Sequence, residues 1–275
     1  APAPAICGVE TALLDALGKT TGQAVSAILA GDGAEPRSGV MVNAVVGAKA
    51  IDGAVEEANA AIASGFRCVK LKVGWEQDVA REIERIAAVR EAIGTGVHLR
   101  LDANEGWNRA QAMTVLAACA RFDIQYVEQP VKAGDLEGMR WLRRAALVPI
   151  AADESLAHLE SAYRILDSAD ILIIKPQLIG GLRASAQLII DAAALGIGSV
   201  VTSSIEAGIG LVAALHLAAA MPQISLECGL ATLHLLEDDL LVDELPIRDG
   251  FLAVPGGAGL GVRLDRDALE RYQAQ

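Results

Sequence analysis

The chain has 275 residues, of which 53% are hydrophobic, and a formal net charge of −12 at pH 7. A chain of this length can bury one sizeable core, and its negative charge argues against binding to nucleic acid or to an anionic membrane surface. No uninterrupted apolar run reaches the ~18 residues of a membrane-spanning helix. The first residues lack the basic stretch with which a signal peptide begins.

Four cysteines are scattered along the chain without a C-x-x-C pair. They are Cys7, Cys68, Cys119 and Cys228. This pattern favours free thiols over disulfides, and free thiols are typical of a reducing cytoplasm. We therefore predict a cytoplasmic protein without nucleic-acid or membrane partners.

Two helices are expected within residues 8–30, and strand-like and helical patterns alternate from there on. The predicted strands span 40–46, 68–73, 97–102, 124–128, 148–153, 171–175, 199–203 and 224–228. The predicted helices span 52–64, 77–93, 108–121, 134–145, 156–167, 181–194 and 207–220, and Asn108 and Ser155 stand near two helix starts. Strands that alternate with helices imply a parallel sheet, and eight of them favour a closed barrel. The glycine run near the end lacks the order of a dinucleotide loop and leads into a further strand pattern, VRLD (262–265).

Charged residues follow the predicted strands at a regular spacing. Asp102, Glu128 and Asp153 each end an apolar run, with Lys72 before them and Lys175 after them, in steps of 30, 26, 25 and 22 residues. Each of these steps is about the length of one strand–helix unit. In a barrel, the ends of successive strands line one rim, where active sites lie. Isolated acidic residues after strands also serve as helix caps or salt-bridge partners, but three at repeat spacing favour a site.

Two aspartates and a glutamate supply hard oxygen ligands, which favour Mg²⁺ over zinc or copper. A cation bound to a substrate carboxylate stabilises the ene-diolate that forms when the α-proton leaves. A lysine can act as the base if its pKa falls toward the working pH. Lys70 and Lys72 lie on one face of a strand, and two ammonium groups beside a dication should each resist protonation.

The motifs around these residues resemble those of the enolase superfamily, specifically its muconate lactonizing subgroup. They are K-L-K (70–72), D-A-N-E-G-W (102–107), V-E-Q-P (127–130), A-D-E-S (152–155) and I-K-P (174–176). The resemblance extends from about Val9 to Asp265. It implies a TIM-like (β/α)7β barrel and the chemistry general to that superfamily, in which a Lys or His base works beside an Mg²⁺-stabilised ene-diolate.

The resemblance also implies roles for individual residues. The expected Mg²⁺ ligands are Asp102, Glu128 and Asp153. Lys72 is the expected acid/base on one face of the substrate, and Lys175 stands on the opposite face. Lys70 is expected to tune Lys72.

Two late segments, T-S-S-I-E-A-G-I-G-L (202–211) and G-L-A-T-L (229–233), resemble those of o-succinylbenzoate synthases, the dehydratases of menaquinone biosynthesis. This resemblance implies a cyclohexadiene carboxylate substrate and a syn elimination in which Lys72 removes the α-proton and then protonates the departing hydroxyl. Lys175 would stay cationic against the ring. The expected substrate contacts are Ser203, Ser204, the backbone near Gly229, and Asn104 on the metal side. Loop or helix capping is an equally good interpretation of the two serines.

Other activities of the subgroup stay open. N-succinylamino acid racemases act on substrates that also carry a succinyl group and a carboxylate. Muconate cycloisomerases form a third possibility. Dipeptide epimerases carry an Asp-x-Asp pair near the last strand, where this chain has ISLECGLATL (224–233). A barrel retained as a binding or scaffold protein would lack a catalytic residue, and none of the five principal positions is missing.

The subgroup resemblance further implies an N-terminal α+β capping domain that is largely missing from this chain. We expect a cap remnant with helices leading into the barrel (1–36), a catalytic barrel (37–228), and a C-terminal tail packing back on both (229–275). Cap loops exclude water and complete the site, so we expect low activity from this polypeptide alone. The expected partner is a small-molecule carboxylate, and the sequence gives no oligomeric state.

Overall fold

The computed structural model describes residues 2–76 and 78–273. The helices are α1 (Ala3–Thr21), α2 (Val25–Ala30), α3 (Ile51–Ala63), α4 (Val79–Ile93), α5 (Arg109–Cys119), α6 (Leu136–Ala145), α7 (Leu159–Arg164), α8 (Pro176–Ile179), α9 (Leu182–Ala194), α10 (Gly208–Ala220) and α11 (Arg266–Tyr272). The strands are β1 (Gly39–Met41), β2 (Ala44–Val46), β3 (Cys68–Lys72), β4 (His98–Asp102), β5 (Ile124–Glu128), β6 (Ile150–Ala152), β7 (Ile171–Ile174), β8 (Gly198–Val201), β9 (Ile247–Arg248) and β10 (Phe251–Ala253). Gln77, the predicted first residue of one helix, lies outside the described residues.

Strands β2 to β8 form one sheet in chain order. The successive pairs from β2 to β7 are all parallel. Helices alternate with these strands, as the sequence pattern predicts. All four residues of β7 are buried, which is typical of a parallel strand covered on both faces.

Local signals explain where one of these helices begins. The Asn108 side chain accepts a hydrogen bond from the N–H of Gln111, whose own side chain accepts one from the N–H of Asn108. This capping box satisfies two backbone donors at the start of α5 and confirms Asn108 as its cap. Ser155 lies instead within a 3₁₀ helix, Glu154–Leu156, and the predicted helix 156–167 is reduced to α7.

The predicted strand 40–46 is broken in two. Its first part, β1, pairs antiparallel with β10 in a separate three-stranded sheet of order β1-β10-β9. Its second part, β2, begins the parallel sheet. The prediction of one continuous strand is therefore wrong, because Val42 and Asn43 separate segments that hydrogen-bond to different partners.

The predicted strand 224–228 is also wrong as a regular strand. One bridge forms within it, between Val42 and Cys228, and a second, between Thr202 and Gly229, forms directly after it; both are parallel. Two paired residues are too few for a ladder. The VRLD pattern likewise yields a single antiparallel bridge, between Leu241 and Leu264.

By compactness the chain divides into two units. One comprises residues 1–42, 174–191 and 199–275, and the other comprises 43–173 and 192–198. The first unit contains the antiparallel sheet with α1, α2, α8, α10 and α11. The second contains β2 to β6, most of β7, and α3 to α7. The domain boundaries expected after residues 36 and 228 stay a prediction.

Helix α10, in the first unit, is apolar apart from His216 and is buried except at Ile209 and Gly210, which are half-buried. The His216 ring is held at both nitrogens: Nδ1 accepts from the N–H of Ser26 at 3.1 Å, and Nε2 lies 3.0 Å from the carbonyl of Leu260. A ring that accepts at Nδ1 and donates from Nε2 is neutral. Burial lowers the pKa of His216, although the Leu260 carbonyl and Asp15 raise it.

This histidine is expected to make stability depend on pH. The unfolded chain binds a proton at His216 near its ordinary pKa of about 6.5, whereas the folded chain resists protonation. The free energy of unfolding should therefore fall as pH decreases below about 6.5. Denaturant titrations from about pH 5 to 8 should show the stability advantage of the native chain over His216→Gln shrinking toward acid. The exposed His234→Gln provides the control, and a pH-independent difference for His216→Gln contradicts the prediction.

All four cysteines are buried and carry thiols that form no disulfide bond, as predicted. In the described part of the chain, no helix combines the length and the apolar character needed to cross a bilayer.

Candidate active site

The parallel register of the second unit brings the predicted residues to one edge of the sheet. Lys72 pairs with Asp102 across β3 and β4, and Asp102 pairs with Glu128 across β4 and β5. Glu128 in turn pairs with Ala151 on β6, two residues before Asp153. Lys72, Asp102 and Glu128 are therefore neighbours along one edge of the sheet, although they are far apart in the sequence, because each is the last residue of its strand.

Lys70 lies between two of the predicted metal ligands. Its Nζ is 3.1 Å from Asp102 Oδ2 and 3.2 Å from Glu128 Oε1. Burial lowers the pKa of Lys70, but the carboxylates of Glu128 and Asp102 outweigh it and raise that pKa above its ordinary value. This differs from the expectation that neighbouring ammonium groups would make Lys70 resist protonation, because the two carboxylates are its immediate neighbours.

Lys72 reaches toward the same carboxylate from the end of β3. Its Nζ donates to Asp102 Oδ2 at 2.6 Å and to Asn104 Oδ1 at 2.8 Å. The Asn104 amide nitrogen then donates to Glu154 Oε1 at 3.0 Å. The Lys72 side chain keeps 27% of its surface exposed, whereas that of Asp102 keeps 1%. The amine is thus held at a defined point and remains accessible to a ligand.

The pKa values of the Asp102 and Glu128 carboxyl groups are shifted in opposite directions. Burial raises the pKa of Asp102, but Lys70 and Lys72 reverse this and lower it to about 2. Burial raises the pKa of Glu128 well above its ordinary value, and repulsion from Asp102 and Asp153 adds to the effect despite the attraction of Lys70. Asp102 therefore favours its ionised form, whereas Glu128 resists ionisation, and positive charge beside Glu128 favours its carboxylate.

Asp153 follows β6 and is nearly fully buried. Its backbone N–H donates to Gln129 Oε1 at 3.1 Å, and the N–H of Ser155 donates to the same oxygen. Gln129 has a positive φ of 39° and no exposed surface. Its side chain joins the ends of β5 and β6, a role that the sequence analysis missed although Gln129 stands directly after Glu128 in the V-E-Q-P motif.

The chemistry of the three predicted ligands fits a divalent cation. They are buried oxygen donors, and burial, with repulsion from Asp102 and Asp153 in addition, raises the pKa of Glu128. Across residues 2–76 and 78–273, however, no three His, Cys, Asp or Glu side chains stand close enough together to enclose a metal ion. The Lys70 ammonium supplies the positive charge between Asp102 and Glu128. The ligand set stays a prediction.

The remaining predicted residues belong to the first unit. Lys175 stands at the N-cap of α8. Burial raises the pKa of Glu206, and the charge of Lys175 offsets a small part of this rise. Ser203 Oγ lies 2.7 Å from Thr232 Oγ1, and the N–H of Ser204 donates to Glu206 Oε2 at 2.6 Å. These bonds order the loop after β8.

Gly229 packs against the same loop. Its carbonyl accepts from the N–H of Ser203 and from the hydroxyl of Thr202. A β-carbon at Gly229 would lie 2.2 Å from Thr202 Oγ1, so only glycine fits here without displacing that side chain. Substrate contacts from Ser203, Ser204 and Gly229 stay a prediction.

Comparison with known proteins assigns the chain to a family. The chain belongs to the enolase superfamily, since the model of the family "Enolase C-terminal domain-like" matches residues 53–268. Its structural neighbours place it with the muconate-lactonizing-like subgroup. Muconate cycloisomerase from Pseudomonas fluorescens superposes with a TM-score of 0.92 at 30% identity, over 98% of this chain and 75% of that one. The predicted TIM-like (β/α)7β fold class is confirmed.

Curated relatives include enzymes of more than one activity. An o-succinylbenzoate synthase of Thermobifida fusca is 38% identical over 221 residues, which are 79% of this chain and 67% of the relative. An L-Ala-D/L-Glu epimerase of Bacillus subtilis is 36% identical over 202 residues, which are 72% of this chain and 55% of the relative. The chain thus spans between about half and two thirds of the length of these relatives.

Proposed function

We propose that this chain carries the barrel of an Mg²⁺-dependent o-succinylbenzoate synthase of menaquinone biosynthesis. The observation that carries the proposal is the Lys72 amine, held 2.6 Å from Asp102 at the end of a barrel strand and partly exposed. Similarity to the synthase of Thermobifida fusca supports the same activity. The broader conclusion, an enolase-superfamily enzyme with lyase or epimerase chemistry, is supported by both curated relatives.

The residues have distinct tasks in this proposal. Asp102, Glu128 and Asp153 would hold Mg²⁺, which when bound supplies the positive charge that stabilises the ene-diolate form of a substrate carboxylate. Lys72 as the neutral amine takes the α-proton, and the electrons of the broken C–H bond pass into the carboxylate. Asp102 and Asn104 then stabilise and orient the resulting ammonium.

The second half of the reaction uses the same lysine. The Lys72 ammonium gives its proton to the hydroxyl on the same face, the C–O bond breaks, and water leaves as the ring becomes aromatic. Lys175 stays cationic and faces the ring, where a cation–π contact favours the charge. Ser203, Ser204 and Gly229 would hold the succinyl group.

The second candidate is racemisation or epimerisation by the same two lysines. Similarity to the Bacillus subtilis epimerase favours it. Residues 224–233 contain no Asp-x-Asp pair to hold a substrate ammonium, so an N-succinylamino acid fits better than a dipeptide. Muconate cycloisomerase and a non-catalytic binding barrel rank below both.

An absorbance assay distinguishes these activities. The protein, in the full length that its gene encodes, is mixed with the cyclohexadiene carboxylate with and without Mg²⁺. We expect Mg²⁺-dependent loss of substrate absorbance and formation of o-succinylbenzoate. No turnover, together with α-deuterium exchange on an N-succinylamino acid, would transfer the assignment to the racemase. Failure of both reactions would favour the binding barrel.

A further inference from the structure

The backbone directly after Lys72 is held by two buried charged residues of α4. Arg85 donates to the carbonyl of Lys72 at 2.5 Å and to the carbonyl of Ala48 at 3.0 Å. Glu82, three residues earlier on the same helix face, accepts from the N–H of Gly74 at 2.8 Å. One residue thus fixes the carbonyl of Lys72, and the other fixes an N–H two residues further on.

Glu82 and Arg85 also interact with each other. Their side chains are 0% and 3% exposed, and Arg85 lies 3.5 Å from Glu82 Oε1. The Arg85 guanidinium further stacks on Trp75, 5.3 Å from the centre of its ring. The second carboxylate oxygen, Glu82 Oε2, is buried and finds no hydrogen-bond partner among the described residues.

Such a pair is a weak way to stabilise a fold. Taking two charges out of water costs several kcal/mol per ion, and well-packed apolar residues often serve as well or better. An orphaned carboxylate oxygen adds a further penalty. The pair nevertheless supplies what apolar residues lack, which is directional hydrogen bonds to specific backbone atoms.

The segment that this pair holds touches the turn carrying Asn104. Gly74 has a φ of 88°, and a β-carbon there would lie 2.4 Å from the Ala103 carbonyl. The N–H of Val73 donates to the carbonyl of Asp102 at 2.8 Å. A shift of residues 72–74 would therefore move Lys72 relative to both partners of its amine, Asp102 and Asn104.

We propose that Glu82 and Arg85 are positioning residues for Lys72, together forming a backbone clamp that fixes where its amine stands. The clamp touches neither substrate nor metal and acts only through residues 72–74. Its catalytic consequence rests on the proposed function, because that function makes Lys72 the acid/base. A misplacement of about 1 Å at such a group can lower a rate about 10²-fold.

The first experiment measures the Lys72 amine directly and needs no turnover. Trace acetylation with acetic anhydride, followed by mass spectrometry, gives the reactivity of Lys72 relative to the exposed Lys132. Glu82→Met removes the acceptor for the Gly74 N–H, and Arg85→Lys removes the paired donation to two carbonyls, each with little change in volume. The exposed Glu84→Met and Arg81→Lys on the same helix are the matched controls. Thermal unfolding verifies that every variant is folded at the labelling temperature.

We expect the relative reactivity of Lys72 to rise several-fold in both clamp variants, because its amine loses its fixed contacts to Asp102 and Asn104, and to stay unchanged in the controls. Unchanged reactivity in folded clamp variants would overturn the proposal. A rise in reactivity in a protein that proves to have no synthase or racemase activity would support the clamp and refute the proposed function.

A second readout separates positioning from general destabilisation. With an active enzyme, kcat should fall by about 10–10²-fold in the clamp variants while KM changes by less than about threefold. If the enzyme also racemises an N-succinylamino acid, in which both lysines exchange the α-proton, deuterium exchange should fall on the face served by Lys72 and be retained on the face served by Lys175. Equal loss on both faces would contradict the proposal, since a loosened fold affects both lysines alike.

Discussion

Replacing Lys72 with alanine is expected to reduce kcat by about 10²–10⁴-fold, the usual contribution of a positioned general acid or base. The loss should be larger than for any other single lysine of the second unit, because one amine both removes the α-proton and protonates the leaving hydroxyl. Substrate affinity should change little, since the substrate carboxylate would be held by the Mg²⁺ that the predicted ligands bind, not by Lys72. Steady-state kinetics and α-proton exchange, measured on the same preparations, check this.

The exposed Lys132→Ala is the matched control for lost charge and should behave as the native protein does. The fold should tolerate Lys72→Ala because the side chain is only partly buried and Lys70 still neutralises Asp102. Unchanged proton exchange in a folded Lys72→Ala protein would remove the acid/base assignment. Activity regained with added methylamine would support it.

Removing Mg²⁺ is expected to abolish turnover, and adding it back after chelation should restore activity. Binding to the folded state also stabilises it, by about 2.7 kcal/mol when Mg²⁺ exceeds its Kd a hundredfold. Thermal unfolding over a range of Mg²⁺ concentrations should therefore show a rising Tm, independently of any substrate. We expect the predicted ligands Asp102, Glu128 and Asp153 to be responsible for this rise.

Glu128→Gln tests the ligand set with little disturbance to the fold. Burial and the neighbouring carboxylates already raise the pKa of Glu128, so a neutral side chain of the same shape should be tolerated. We expect the Mg²⁺-dependent rise in Tm to disappear in this variant and to persist in the exposed Glu91→Gln. A full rise in Glu128→Gln would show that Mg²⁺ binds elsewhere or not at all.

The parallel sheet, one helix start and the charged strand ends of this protein could be predicted from local sequence patterns. Alternating strands and helices predicted the parallel sheet because the apolar period changes at each element, and Asn108 marked a helix start because a capping box needs only neighbouring residues. The strand ends at Lys72, Asp102 and Glu128 could also be predicted, because each residue stands at the end of an apolar run. Since neighbouring parallel strands end at the same edge of a sheet, these three residues were expected side by side.

Other features depended on partners distant in the sequence. Residues 40–46 read as one strand, but the pairing of Gly39–Met41 with Phe251–Ala253 divides them. The expected loss of protonation at Lys70 is contradicted, because the carboxylates of Asp102 and Glu128, from two other strands, lie 3.1 and 3.2 Å from its amine and raise its pKa. Neither the 224–228 segment nor its neighbours indicated that only Cys228 and Gly229 would pair.

The sequence by itself determined the order of the elements, the row of charged strand ends and the family, because these depend on periodicity, spacing and short motifs. Only the tertiary structure decided which charges neutralise one another and which backbone atoms hold Lys72. Glu82 and Arg85 carry no motif, and their importance arises because α4 places them against the carbonyl of Lys72 and the N–H of Gly74. Electrostatics and hydrogen bonding depend on distances of a few ångströms, and the folded chain alone sets those distances.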